Sequence, residues 1–146
     1  MSLRESITQE LIRVLKEIDD PRPVLVTRDP FSPDKLAITQ FPAILVQSAT
    51  ENRETITMGA PGAGRRSGTI QFSIRGYLRG VELDRRRNEL IEAIEEQLES
   101  DRYLGLRDQG VLDTQIRVIA IQERLEPLAE ILITLEVRYN YLRGTV

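Results

Sequence analysis

The stretch ILITLEVRYNY, residues 131–141, decides the fold of this chain. Its odd-numbered positions are all apolar or aromatic, whereas most of its even-numbered positions are polar. Side chains two residues apart lie on the same face of a β-strand, so this alternation predicts a long strand with one buried face. Tyr139 and Tyr141 continue the apolar parity, and we therefore expect them in the core rather than in a ligand site.

Two further strands are predicted before this one. Residues 116–121, IRVIAI, form an apolar run, and Glu126-Pro127 marks a reversal between that run and the closing strand. Two strands joined by a short turn pair in the antiparallel direction. The period-two alternation also occurs in residues 69–78, which predicts another half-buried strand that ends at Gly80.

The first half of the chain contains two shorter apolar segments. Residues 41–47, FPAILVQ, are apolar almost throughout, which is typical of a strand buried on both faces. Residues 24–26, VLV, predict a short strand that two prolines soon follow.

Two helices complete the predicted set of elements. Residues 3–18 carry apolar side chains at the spacing of a one-sided helix, and Ser2 with Glu5 fits a capping box at its start. Residues 85–99 carry a second apolar stripe, with Asp84 as the expected N-cap.

The predicted order is therefore α-β-β-β-α-β-β. At 146 residues the chain has the length of one ordinary domain, and no repeat or linker divides residues 1–146. The fold class that this order favours is α+β, a mostly antiparallel sheet with both helices packed on one face.

The composition excludes several kinds of chemistry. The chain has no Cys and no His, which excludes thiolate catalysis, disulfides and the usual zinc sites. No Ser or Thr has a visible activating base, so we expect no catalytic residue, and we expect no metal or cofactor. The net charge of −3 disfavours tight binding to DNA. No apolar run is long enough to cross a bilayer, so we expect no membrane association.

One segment resembles a ligand motif, the glycine-rich stretch MGAPGAGRRSG at residues 58–68. Two of its glycines have the spacing of a phosphate-binding loop, but that loop also needs a lysine, a hydroxyl and a following helix. Here two arginines and a predicted strand follow, so we set the nucleotide site aside. Residues 48–68 are expected to be a flexible loop, either inert or an arm that contacts a partner. The candidate arm contacts are Met58, Gly59, Gly62, Gly64, Arg65 and Arg66.

The second helix has an unusual distribution of charge. Its basic residues lie in the first turn and its acidic residues lie toward the end, which is the reverse of what the helix dipole favours. This face is either a solvated surface or a seam between subunits, and carboxylates spread along one helix disfavour a metal site. The candidate seam residues are Arg85, Arg86, Arg87, Glu92, Glu95 and Glu96.

Several of these segments, taken in order, resemble the tail terminator proteins of long-tailed bacteriophages. The segments are the opening helix ITQELIRVLKEI, the strand FPAILVQ, the polar glycine-bearing loop, the strand FSIRGYLRG, the helix ELIEAIEEQLESDRYLG and the closing ILITLEVRYNY.

This resemblance implies a structural role in a virion. A terminator forms a ring, typically a hexamer, on the last ring of the tail tube, stops tube polymerisation and offers a face to the neck. The implied partners are further copies of the chain, the tail tube protein, a neck or head–tail connector protein and, in contractile tails, the sheath protein. DNA would pass through the lumen without specific binding. The implied location is the tail–neck junction of a virion that is assembled in the host cytoplasm.

Three alternatives to a terminator stay open at the level of the sequence. One is another ring-forming neck or head–tail joining protein, and another is a non-enzymatic interaction module unrelated to virions. The third is an enzyme, for which the sequence offers little support.

Overall fold

The computed structural model describes residues 2–55 and 65–142. Within these ranges the element order matches the predicted one. The helices are α1 (Leu3–Lys16) and α2 (Leu83–Glu99), and the strands are β1 (Leu25–Thr27), β2 (Ala43–Thr55), β3 (Arg65–Arg79), β4 (Val111–Gln122) and β5 (Leu128–Leu142). Four of the six predicted arm residues, Met58, Gly59, Gly62 and Gly64, lie outside the described residues.

The strands form one five-stranded sheet in the order β1-β2-β3-β5-β4. The short β1 runs parallel to β2, and every other neighbouring pair is antiparallel. Both helices contribute to one large core on a single face of this sheet. The predicted α+β class is therefore confirmed.

Helix α1 begins at the predicted cap. The Ser2 hydroxyl accepts a hydrogen bond from the Glu5 backbone N–H at 3.2 Å, which satisfies one of the free donors of the first turn. The helix ends at Lys16, two residues before the predicted end at residue 18. Ile18 stays buried nonetheless, because the chain turns back over the core.

Helix α2 begins earlier than predicted, and Asp84 is not its N-cap. The cap is Glu82, which has a left-handed backbone with φ of 54° and makes no side-chain cap hydrogen bond. Asp84 is the second residue of the helix, where its carboxylate still lies near the positive end of the helix dipole. Aspartate is preferred over glutamate at N-cap positions, but the turn after β3 places Glu82 at the start of the helix.

The burial of alternate residues in β5 confirms the predicted buried face of the closing strand. Every odd-numbered residue of β5 from Ala129 to Tyr141 is buried, and Tyr139 is completely inaccessible to solvent. The helices contribute the opposite wall of this core through Ile7, Leu11, Leu15, Leu90, Ile94 and Leu98.

A second, smaller apolar cluster lies on the other face of the sheet. It contains Phe41, Ala43, Leu45, Tyr77 and Leu128. Part of the segment between β1 and β2 covers it, with the Phe31 ring packed edge-on against Tyr77 at a centroid distance of 5.4 Å. Burial on both faces explains why residues 41–47 read as a continuous apolar run.

The prediction of a loop over residues 48–68 is wrong at both of its ends. Strand β2 continues to Thr55 and β3 begins at Arg65, so that Asn52 pairs with Thr69 and Arg53 with Gly68. The polar composition concealed these strand ends, because a strand is held by its backbone ladder and does not require apolar side chains. Strand β4 likewise begins at Val111 rather than near residue 116.

Candidate interaction surfaces

The last residues of β2 and β5 pair with the first residues of β3, and we call this three-stranded end of the sheet the hairpin stem. In this stem β3 lies in the middle, paired with β2 on one side and with β5 on the other. We call five of its residues the stem network: Glu51, Arg53, Gly68, Tyr139 and Tyr141. They lie on the face of the sheet that also carries the helices.

Tyr139 and Glu51 form the central contact of the stem network. The Tyr139 hydroxyl donates a hydrogen bond to Glu51 Oε2 at 2.6 Å. The same carboxylate accepts from Arg53 Nε at 2.6 Å and from Arg4 at 3.2 Å. Because Arg4 belongs to the first turn of α1, the carboxylate ties the stem to the helical layer.

The network shifts the pKa values of both partners. Burial, together with the hydrogen bond to the Glu51 carboxylate, raises the pKa of Tyr139 to about 12. Burial alone would raise the pKa of Glu51, but the hydrogen bonds from Tyr139 and Arg53 outweigh it, and the pKa is lowered. At neutral pH the pair is therefore a neutral phenol donating to a charged carboxylate.

Gly68 makes room for the Tyr139 ring. The two residues are directly paired between β3 and β5, and a Cβ on Gly68 would lie 2.2 Å from Tyr139 Cζ. Such a distance is far inside van der Waals contact, so the ring lies directly over the glycine backbone. Sequence reasoning missed this contact, because only the strand register brings the glycine under the ring.

The remaining stem contacts involve arginines. The Arg53 guanidinium lies over the Tyr141 ring, with Cζ 4.9 Å from the ring centroid, in cation–π geometry. The predicted arm residues Arg65 and Arg66 lie at the start of β3, where Arg66 is paired with both Thr55 and Tyr141. Both arginines thus belong to the stem by their backbone.

The three arginines at the start of α2 are engaged within the chain. Arg85 bridges Glu82 and Glu89, and the contact to Glu89 measures 2.6 Å. The Arg87 guanidinium contacts the Asp84 carboxylate at 2.9 Å. These ion pairs explain how the helix tolerates Arg85 and Arg87 at its positive end, since both charges have an acidic neighbour.

Arg86 has a different partner, because it bonds to backbone. Its guanidinium donates to the Arg79 carbonyl at 3.1 Å, which fixes the turn between β3 and α2.

The predicted acidic residues of α2 lie away from these arginines. Glu92 and Glu96 line a shallow cleft of about 240 Å³ together with Glu89 and Asp20, whereas Glu95 is not among its lining residues. At 1.5 Å per residue, the middle of the acidic set lies about 12 Å further along the helix than the arginines. The structure therefore does not bring the two charge sets together within one subunit.

Among the described residues no strand pairs with the outer side of β4, and this edge of the sheet carries apolar side chains. Leu112, Val118, Ile119 and Ile121 are 43%, 53%, 41% and 46% exposed. The strand carries two charged residues, Asp113 and Arg117. Asp113 pairs with Arg102 at 2.8 Å, and Arg117 pairs with Glu136 at 3.3 Å. Among the described residues, both charged side chains of β4 are therefore paired, and neither is available to oppose the pairing of this edge with another chain.

The opposite edge of the sheet is also largely open. Strand β1 pairs with only three residues of β2, Ala43 to Leu45. The outer side of β2 from Val46 to Thr55 therefore has no strand partner among the described residues. Its side chains from Ser48 to Thr50 are small and exposed.

The end of the sheet opposite the hairpin stem carries further exposed apolar side chains. They belong to the loops next to β1, β2, β3 and β5. The residues are Val24, Ile38, Val81 and Leu125, with exposed fractions of 58%, 62%, 78% and 91%.

A cleft of about 610 Å³ opens at the same end of the sheet, lined by Glu82, Arg87, Arg124 and Glu126 among others. Beside it the buried Glu130 carboxylate accepts from Arg124 at 2.8 Å and from Arg75 at 2.9 Å. Acid and base alternate around this end, which does not favour a ligand of a single charge.

The part of the chain that the structure describes contains neither a candidate metal site nor a candidate membrane span. Residues 2–55 and 65–142 hold no group of three or more acidic side chains placed to bind a metal ion. Within the same ranges, no helix combines the length and the apolar character that a membrane span requires.

Comparisons with known proteins find a distant structural likeness. No protein-family model matches the chain, and no curated protein matches it. Among solved structures, a chain from the virion of a native gene transfer agent particle is similar to this one, with a TM-score of 0.49 and 10% sequence identity over 96% of both chains. A likeness this distant does not assign a function to the chain.

Proposed function

We propose that this chain is a structural virion protein that forms a ring, a hexamer, on the end of a tail tube. In that role it stops tube polymerisation and presents a docking face to the neck. The proposal starts from the succession of segments that resembles the tail terminators of long-tailed bacteriophages. The element order and the α+β class implied by that succession agree with the fold described above.

The observation that carries the proposal is the pair of open edges on the sheet. Exposed strand edges invite pairing with other chains, and monomeric proteins protect them with charges, prolines or covering loops. Strand β4 instead presents Val118, Ile119 and Ile121 with about half of each side chain exposed. An edge of this kind is expected in a protein whose working state is an assembly.

The hairpin stem supports the second part of the proposal, contact with the tube. Residues 58–66 were predicted to be an arm, and the stem that carries them is held by the Tyr139–Glu51 hydrogen bond and the Arg4 ion pair. A stem braced in this way fixes the positions of Thr55 and Arg65, the described residues on either side of residues 56–64. We therefore propose that the arm contacts the tail tube or the neighbouring subunit.

The charge of the chain suits a ring through which DNA passes. A protein that neutralises phosphates releases counterions and holds DNA tightly. With a net charge of −3, this chain has no overall electrostatic attraction for the phosphate backbone. We propose that DNA slides through the lumen without specific binding.

The outer face of α2 is proposed as an additional contact between subunits. Its basic set, Arg85 to Arg87, and its acidic set, Glu92 to Glu96, lie at different ends of the helix, so each could meet the opposite set of a neighbour. Contacts between two different patches of one chain close into rings when the rotation permits.

Growing tail tubes provide the direct test of the proposal. Purified tube protein is polymerised with and without this chain, and the length distribution is measured by electron microscopy. We expect shorter tubes with a ring at one end, and a variant lacking Gly59 to Gly64 should keep its fold but cap fewer tubes. Unchanged tube lengths, with no protein at either end, would contradict the proposal. A ring found only at the neck would favour a head–tail joining role instead.

A further inference from the structure

We infer that neighbouring subunits are joined by pairing the β4 edge of one copy with the outer edge of β2 in the next copy. This inference rests on the proposed ring and adds the identity of its seam. The seam would make the five-stranded sheets of successive subunits continuous around the ring.

The first argument is that one chain supplies two free strand edges, one on each lateral side of its sheet. Strand β1 covers β2 only as far as Leu45, and no described strand pairs with the outer side of β4. A head-to-tail contact requires two different patches on each subunit. Pairing β4 with β2 uses one edge from each side of the sheet, so every subunit of a closed ring makes the same two contacts.

The second argument is that the two edges match in length and regularity. A register shift in β4 between Ile116 and Val118 leaves the regular run 118–122, which is five residues long. A shift in β2 between Ser48 and Thr50 leaves the regular run 50–55, which is six residues long. Bulges limit pairing at their own positions, so the contact is expected between these two regular runs.

The third argument comes from the side chains on the two runs. On the sheet face away from the helices, β4 presents Val118 and Ala120, and β2 presents Thr50 and Asn52. Val118 and Thr50 are β-branched, which favours them in strands, and Ala120 and Asn52 are short enough to leave room for a paired strand. Neither run contains a lysine or a proline, and two of the charged residues of β2, Glu51 and Arg53, are bonded within the stem network.

Two-fold pairing of β4 with a second β4 is the competing arrangement. It would place Ile119 opposite Ile121 across the interface, but it would leave both β2 edges open and would stop at two subunits. The proposed ring therefore requires the β4–β2 contact, and the experiment must separate the two arrangements.

Engineered cysteines can make this distinction, because the natural chain contains no cysteine. Two single variants, Val118→Cys and Asn52→Cys, are prepared separately, with Thr50→Cys as a second choice of β2 position. Each is oxidised alone and in a mixture, free in solution and bound to tail tubes, and the products are resolved on denaturing gels. All three positions are exposed in the subunit, so the variants should fold.

The expected result is a covalent dimer in the mixture and little dimer from either variant alone. The double variant Asn52→Cys with Val118→Cys should give a ladder that ends at the ring size. In the two-fold arrangement Ala120 faces its own copy, so a third single variant, Ala120→Cys, is oxidised alone. Its efficient dimerisation would overturn the inference in favour of two-fold pairing. If capped tubes form but neither β2 position cross-links to β4, the seam is wrong while the proposed function stands. If the chain does not bind tubes at all, the proposed function fails.

A charge substitution on the edge gives an independent measurement. Ile121→Lys should weaken self-association at least about tenfold, because a lysine on an edge strand opposes the pairing of that strand with another chain. The matched control is Val81→Lys, which changes a more exposed apolar residue, 78% exposed, outside the sheet edges. Thermal unfolding of both variants checks that the fold is intact. Equal self-association of the two variants would count against the seam.

Discussion

At the residue scale, the main feature is the phenol–carboxylate pair in the hairpin stem. Tyr139 is completely buried, and a buried hydroxyl without a partner is costly. Glu51 supplies that partner and is itself compensated by Arg53 and Arg4. The pair therefore links three segments that are far apart in the sequence, and its loss should be measurable as a loss of stability.

We expect Tyr139→Phe to lower the free energy of unfolding by about 1.5–3 kcal/mol, the usual contribution of a hydrogen bond to a charged group. The fold should persist, because the ring still fills the space over Gly68. Chemical denaturation of both proteins measures the difference. The matched control is Tyr103→Phe at a ring that is 36% exposed, where a change within about 0.5 kcal/mol is expected. Equal losses in the two variants would argue against a special role for the Tyr139 hydroxyl.

The pKa of Tyr139 predicts a loss of stability at alkaline pH. Its pKa is about 12 in the folded chain, against an ordinary value of 10.0. Above pH 10 the unfolded chain loses the phenol proton while the folded chain retains it, so stability falls as the pH rises toward 12. Below pH 10 this group contributes no pH dependence. Comparing the alkaline unfolding curves of the wild type and Tyr139→Phe isolates the effect, and parallel curves above pH 10 would contradict it.

At the element scale, the long strands β2, β3 and β5 depend on close contacts between their backbones and side chains. Gly68 of β3 lies directly beneath the Tyr139 ring of β5, at the point where the three strands extend together. Glycine weakens a strand in general, and it is found in strands where another group approaches the backbone closely. Here that group is the ring that anchors the hairpin stem.

Gly68→Ala should therefore destabilise the chain although alanine is the better strand residue. The added methyl would meet Tyr139 Cζ at 2.2 Å, and overpacking of this kind typically costs about 1–3 kcal/mol. Hydrogen exchange should show faster opening of β2 beyond Ser48, with less effect on the strand segments under the helices. Ser67→Ala, at the preceding position of the same strand, is the control. A neutral effect of Gly68→Ala would mean that the ring can move aside.

Comparing the predicted helices and strands with the observed ones shows which features the sequence could predict. The β5 parity and the Ser2 cap were predicted correctly, because each depends on neighbours within a few residues. The polar end of β2 was missed, because its pairing partner Thr69 is set by the register of a hairpin and not by side-chain type. Asp84 was preferred over Glu82 as the N-cap, because capping preference ignores the backbone direction of the preceding turn.

At the scale of the whole molecule, net charge and open edges set what the chain associates with. The edges favour other protein chains, whereas the net charge of −3 disfavours nucleic acid. The candidate seam residues of α2 contribute to this balance, since three acidic side chains lie toward the end of that helix. Association with protein and indifference to DNA should both be measurable in the purified chain.

We expect no retardation of duplex DNA by the wild-type chain in a gel-shift assay at physiological ionic strength, because non-specific binding depends on the neutralisation of phosphates. A variant with Glu92, Glu95 and Glu96 changed to Lys carries a net positive charge and should retard the same DNA in a salt-dependent way. Retardation by this variant would demonstrate that the assay detects weak binding to DNA. Retardation by the wild type that resists added salt would contradict a passive lumen.

The sequence by itself determined the element order, the fold class and the buried face of the closing strand. These properties follow from the periods of apolar residues, and a period is a local quantity. The tertiary structure alone decided that Glu51, 88 residues from Tyr139, receives its hydroxyl hydrogen bond, and that Gly68 lies under its ring. It also decided that, among the described residues, β4 and the second half of β2 have no further strand partner. Pairing in a sheet joins segments that are distant along the chain, so the partner of a strand, or the lack of one, depends on how the whole chain folds.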